Sequence, residues 1–244
     1  MRLPRRLMAP AAATLAGVAL LCALGVWQLR RLAWKEGLIA QIEARAGAPP
    51  APLPPEADWT RLDPQAYEYR HVRFDATLER GREALVFRPA GGPAHEPGYL
   101  VLTPARLPSG AYVVVNRGFV PEALKDRARR PEPQAQAPEP IVGLMRAPEP
   151  RNLFTPADDP ARGNFFSRDP ASVAARFDLA RAAPFIVDAD RGAPAAPGAP
   201  SGGETAIAFP NNHLSYALTW FGLAAALLGV FAAYAWRAAR EPGG

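Results

Sequence analysis

Residues 214–236 read LSYALTWFGLAAALLGVFAAYAW, twenty-three positions without a charge. A helix of that length crosses about 30 Å of hydrocarbon. Tyr216 and Trp220 near its start, and Tyr234 and Trp236 at its end, put aromatic rings at both water boundaries. Arg237 and Arg240 follow, and no Lys or Arg lies between Arg191 and Arg237. The excess of basic residues on the inner side of a membrane then predicts a cytoplasmic C-terminus. Residues 7–29 form a second run of twenty-three without charge, ending in Val26-Trp27-Gln28-Leu29-Arg30-Arg31. A cleaved signal peptide is the competing reading, with Arg2, Arg5 and Arg6 as its basic region. The run is long for that, lacks a small-x-small cleavage site, and ends on Trp27 beside two arginines, an interfacial anchor. Two spans force both termini to one side, so the middle of the chain faces the periplasm or its equivalent.

Charge narrows the function. The 28 basic and 23 acidic residues give a formal charge of +5. Arg2, Arg5, Arg6, Arg30, Arg31, Lys35, Arg237 and Arg240 all flank the spans, with only Glu36 and Glu241 acidic beside them. Setting these aside leaves 20 basic and 21 acidic residues between positions 37 and 236. That near-neutral middle offers no general phosphate-binding surface, which excludes a nucleic-acid partner. The single cysteine, Cys22, sits in the first run, so neither an intramolecular disulfide nor a cysteine metal cluster is available.

The sequence predicts two transmembrane α-helices flanking a mainly antiparallel β domain, a small barrel or sandwich of α+β type. The expected order is a cytoplasmic tip and first transmembrane helix over 1–31, then a helical extension and Pro-rich linker over 32–55. A periplasmic β-rich domain over 56–190 follows, then a flexible tether over 191–212, the second transmembrane helix over 213–236, and a cytoplasmic tail over 237–244. Strand patterns fall at 67–74, 84–87, 98–104, 111–116, 141–146 and 185–188, with Pro108-Ser109-Gly110 turning the third into the fourth as a hairpin. Asp169-Pro170 reads as the cap and first position of a helix over 171–177.

No catalytic motif stands out. Ser109 and Ser167 lack a nucleophile-elbow setting. Asp158, Asp159 and Asp169 read as turn and helix starters, and no metal-binding spacing links His71, His95 and His213. His213 is distinguished by its place at the outer end of the second span. On a helix it shares a face with Tyr216, Ala217, Trp220 and Ala224, and an antiparallel first span would bring Trp27 and Gln28 to similar depth. Two readings stand: a flat apolar ligand such as haem with His213 on its iron, or interfacial residues that anchor and cap the helix.

Several motifs in order resemble the surfeit-locus-protein-one family of cytochrome c oxidase assembly factors. Gly25-Val26-Trp27-Gln28-Leu29-Arg30-Arg31 with Trp34-Lys35 is similar to that family's first-span exit. Gly98-Tyr99-Leu100-Val101-Leu102-Thr103-Pro104 and Val115-Asn116-Arg117-Gly118-Phe119-Val120-Pro121 resemble its central pair. Arg151-Asn152-Leu153-Phe154-Thr155-Pro156, Phe165-Phe166-Ser167-Arg168-Asp169 and Asn211-Asn212-His213-Leu214-Ser215-Tyr216 complete the likeness. Phe119 stands where the family commonly has Trp, and Ala157-Asp158 where Asn often precedes the Asp-Pro.

The resemblance implies a non-enzymatic role in the assembly of aa3-type haem-copper oxidase at a bacterial inner membrane. It implies haem a as a transient cofactor, with His213 on the iron and Tyr216, Trp220, Trp27 and Gln28 around it. The implied partners are oxidase subunit I, haem a synthase and membrane lipid. Tyr99, Asn116, Arg117, Gly118, Phe119, Arg151, Phe154, Thr155 and Asn212 are the implied partner-facing or structural positions. The alternative is a scaffold that stabilises oxidase assembly intermediates and binds no haem.

Overall fold

The computed structural model describes residues 5–92, 95–130, 132, 135–192, 198–203 and 211–240. Parts of the expected tether (193–197 and 204–210), and the tail residues 241–244, lie outside these. The chain divides into a helical unit of residues 1–41 with 208–244 and a β unit of residues 42–207.

The helical unit is built from α1 (Arg5–Ala46), whose last turn enters the β unit, and α4 (His213–Arg240). Both are long and apolar enough to cross a membrane, and only 6% and 11% of their most apolar stretches are buried. A core helix of a water-soluble protein would be largely covered, so this is a membrane protein. α1 continues without a break through Arg31 to Ala46, where the Gly47 amide donates to the Glu43 carbonyl (2.8 Å). Leu7 and Thr14 on α1, and Ala217, Ala224 and Ala238 on α4, are buried at sevenfold spacings, the mark of a packed helix seam. Small residues set its closeness: a Cβ at Gly25 would lie 2.6 Å from Phe221 Cζ, and one at Gly17 2.9 Å from Leu227 Cδ2. Side chains of α4 thus pack directly onto the α1 backbone at these glycines, as small residues allow between membrane helices.

The β unit contains β1 (His71–Leu78), β2 (Ala84–Gly91), β3 (Glu96–Arg106), β4 (Tyr112–Pro121), β5 (Glu139–Arg146), β6 (Asn164–Phe165) and β7 (Ala182–Ala189), with short α2 (Pro64–Tyr67) and α3 (Pro170–Phe177). The strand order is β1-β5-β7-β4-β3-β2-β6, and β1 also pairs with β3 at Thr77–Arg106 and Leu78–Ala105. That pairing closes β1-β5-β7-β4-β3 into a small barrel, while β2 and β6 extend the sheet from the other stretch of β3. The β3–β4 hairpin forms over Pro108–Gly110 as the sequence predicts, with Gly110 at φ +86°. β4–β7 and β2–β6 pair in parallel; the remaining ladders are antiparallel.

Strand alternation sorts the side chains into two cores. Val113 and Val115 of β4 and Phe185 and Val187 of β7 join Val72, Met145 and Ile141 in one. Val114 and Ile186, pointing the other way, join Leu100, Leu102 and Phe165 beneath Val173 of α3. Trp59 and Tyr67 pack on Phe185, each with ring centroids 5.7 Å away. The Asp169 carboxylate accepts from the Ala171 amide at 3.0 Å and starts α3 as its sequence predicts.

Three local features differ from the sequence reading. The first strand begins at His71 rather than Tyr67, because Asp63-Pro64 caps and opens α2 and Tyr69 turns the chain at φ +63°. The Pro-rich linker is extended but docked: Ala51 exchanges two backbone hydrogen bonds with β1, of 3.0 and 2.9 Å, through His71 and Arg73. The middle of the expected tether, at Ser201, is docked too. Ser201 and Phe119 exchange a pair of backbone bonds of 3.1 Å each.

Candidate functional site

The end of the helical unit at which α4 begins brings together two of the expected residues. His213 Nδ1 lies 2.7 Å from Gln28 Oε1. An amide oxygen only accepts, so Nδ1 is the donor of this pair, and in the neutral ring Nε2 then holds the lone pair. Nε2 makes no hydrogen bond among the described residues. Trp220 is half-buried, whereas Trp27 and Tyr216 are each more than half exposed. Tyr216 is therefore at the rim of the seam that buries Ala217 and Ala224. Asn212 precedes the helix, and its carbonyl accepts from the Tyr216 amide at 3.1 Å.

The β unit holds the central motif. Asn116 and Asp188 face each other in the β4–β7 register, and the Asn116 amide donates to the Asp188 carboxylate at 2.8 Å. Asn116 Oδ1 also accepts from the Gly118 amide (3.1 Å), which fixes a tight local turn. Gly118 stands at φ +115°, and a Cβ there would sit 1.8 Å from the Ser201 carbonyl oxygen. Only glycine allows the returning segment of residues 198–203 to lie there. Phe119 is buried, its ring covered by the glycine-only backbone of Gly91, Gly92 and Gly98. Arg117 pairs with Glu83 and Glu132, and the fully buried Arg130 binds Glu83 at 2.7 Å.

Where β4 and β7 run past α3, the second core turns polar and a cavity of about 350 Å³ opens. Asn116, Asp188, Arg88, Arg146, Arg168 and Glu149 line it, against a wall that includes Leu100 and Phe119. Arg146 and Arg168 each reach Asp188 at 3.0 Å, and Arg88 reaches Glu149 at 2.7 Å. Burial opposes the Arg146 charge, but Asp188 and Glu68 outweigh it and raise its pKa. Burial likewise works against ionised Glu149; Arg88 and Arg168 prevail and hold its carboxyl below the usual range. Every charge here is compensated, so the cluster acts first as a rigid polar end to the barrel.

The other expected positions divide by exposure. Tyr99 is buried, edge-on to Phe87 and beneath Lys125 Nζ, which lies 4.5 Å from its ring centre. Arg151 binds Asp158 at 2.7 Å and also the Pro156 carbonyl, holding a turn in which Phe154 stands exposed and Thr155 Oγ1 accepts from the Asn152 amide. Among the described residues no three His, Cys, Asp or Glu side chains cluster to hold a metal ion.

The family model described as the SURF1 family matches residues 15–225. The chain belongs to the SURF1 family. It is 34% identical over 217 residues to Surfeit locus protein 1 of Xenopus tropicalis, covering 83% of this chain and 68% of that one. It is 33% identical over 217 residues to Surfeit locus protein 1 of Homo sapiens, covering 83% and 70%. A SURF1-like protein of Drosophila melanogaster is 34% identical over 220 residues, covering 83% and 70%.

In this SURF1-family chain the sequence reading misses the ionic cluster. Arg146, Asp188 and Arg168 read as a strand end, a strand end and the residue before a helix cap. The available signal is a charge closing an apolar strand, seen in both Met145-Arg146 and Val187-Asp188. His71 is also more than a surface residue: its Nδ1 meets the Ala48 carbonyl at 2.9 Å and its Nε2 the Asp190 carboxylate at 2.8 Å. It clips together the segments that enter and leave the domain.

Proposed function

We propose that this chain is an assembly factor for aa3-type cytochrome c oxidase, acting without catalysis of its own. In this reading it holds haem a transiently through His213 and assists its placement in oxidase subunit I. The observation that carries the reading is the Gln28–His213 pair of 2.7 Å. A ligating imidazole needs its second nitrogen fixed by an acceptor, which sets the ring's orientation and leaves the other lone pair outward. Gln28 supplies that acceptor from the facing helix. Iron of a haem takes such a nitrogen as an axial ligand. Trp220, Tyr216 and Trp27 supply apolar ring surface beside it, and the exposure of the last two suits a ligand that must later leave.

The basic residues Arg237 and Arg240 in the last turn of α4 support an inner-membrane placement with both termini cytoplasmic and the β unit periplasmic. Haem a synthase as donor and subunit I as acceptor are the partners that this reading requires.

The test is the absorption spectrum of the full chain purified from cells that make haem a. A bound-haem band is expected, lost in His213→Ala and weakened in Gln28→Ala. An undiminished band in His213→Ala overturns the ligand assignment. Normal haem content of the oxidase in cells carrying His213→Ala would instead favour a scaffold that binds no haem.

A further inference from the structure

The turn at residues 151–156 displays two large apolar side chains, Leu153 wholly exposed and Phe154 92% exposed. This is a built feature, because polar bonds pin the backbone on both sides. The Asn152 carboxamide oxygen accepts from the Phe154 amide (2.8 Å), the Asn152 amide donates to Thr155 Oγ1 (3.0 Å), and the Thr155 amide donates to the Asn152 carbonyl (3.0 Å). Arg151 ties the base to Asp158 (2.7 Å) and Ser167 (3.3 Å). Asp158 in turn accepts from the Phe166 amide (2.9 Å). A floppy loop would need none of this, and a pinned turn with an apolar tip presents that tip to something.

We propose that the Leu153–Phe154 tip is a lipid-inserting wedge that seats the β unit on the bilayer surface. Area argues for lipid over a protein groove. Two such side chains offer on the order of 300 Å², well short of the roughly 1,000 Å² that a stable protein interface needs. A bilayer makes no such demand here. The β unit lies in sequence between two spans, so lipid is present at high effective concentration and a weak apolar contact suffices. Insertion would limit the ways in which the tethered domain can tumble, which matters for any exchange of ligand or partner at the membrane. The proposal does not depend on haem binding.

The experiment uses the full chain with Cys22→Ser and Leu153→Cys, labelled with an environment-sensitive fluorophore at residue 153. It is reconstituted into vesicles of phosphatidylcholine and phosphatidylglycerol with iodide available on both sides. A matched probe at Arg61→Cys, on a side chain 76% exposed, serves as the reference. The probe at 153 is expected to emit at shorter wavelength, to be quenched by spin-labelled lipid and to resist iodide; the probe at 61 does the reverse. Adding Phe154→Asp, which removes no contact and so leaves the fold intact, is expected to abolish quenching by lipid. Equal iodide quenching at 153 and 61 overturns the proposal. So does protection at 153 that appears only on adding purified oxidase subunit I, which would assign the tip to a protein partner.

Discussion

Replacing Gly118 by Ala tests the account of the central motif most directly. The residue sits at φ +115°, where a side chain costs about 1–2 kcal/mol of backbone strain. The new Cβ would also fall 1.8 Å from the Ser201 carbonyl oxygen, a distance that no rotamer adjustment relieves, so the segment of residues 198–203 must lift away. Lifting it breaks the two 3.1 Å backbone bonds between Phe119 and Ser201, at about 1 kcal/mol each. The sum is about 3–4 kcal/mol, or a fall of about 6–16 °C in the melting temperature of a domain of this size. Hydrogen exchange distinguishes this mechanism from general loosening. The amides of Phe119 and Ser201 should lose protection in Gly118→Ala, while those of Val114 and Ile186 in the sheet keep it. A variant that melts within about 2 °C of the parent, with both amides still protected, refutes the reasoning.

Asp188→Asn should destabilise the domain by about 3–5 kcal/mol in denaturant titrations, because Arg146 and Arg168 are left buried without their shared carboxylate. Glu149 has a lowered pKa in the folded state, so its contribution is present above its ordinary value near 4.5 and disappears as pH falls through the lower folded value. Acid unfolding followed by circular dichroism should therefore be less steep below pH 4.5 in Glu149→Gln than in the parent, and an identical acid profile would remove Glu149 from the network. Leu153→Asp should leave the melting temperature unchanged, since its side chain touches nothing.

The spans, the β3–β4 hairpin and α3 were legible because each announces itself locally. A charge-free run of twenty-three residues, a Pro-Ser-Gly turn between apolar stretches and an Asp-Pro start are signals within a few neighbouring positions. Barrel closure was not legible as against a sandwich. It rests on Thr77 and Leu78 meeting Arg106 and Ala105, a pairing that composition and alternation do not encode. The ionic cluster was hidden for the same reason. Arg88, Arg146, Arg168 and Asp188 come from three strands and a loop, and each looks ordinary in its own segment. The pairing of Gln28 with His213, 185 positions apart, could be anticipated only as equal depth on two antiparallel helices. The hydrogen bond itself also needs the two helices packed face to face, as they are where Phe221 meets Gly25 and Leu227 meets Gly17.

The two docked approaches to the barrel carry a mechanical consequence. Ala51 on the way in and Ser201 on the way out each clasp a strand by a pair of backbone bonds, and His71 latches the two approaches near their roots. Tension along the chain on either side of the domain is therefore delivered sideways to β1, through Ala51 and His71, and to β4, through Ser201, as well as along the connecting backbone. The ladders that close the barrel are made by other residue pairs, so its register does not rest on these clasps.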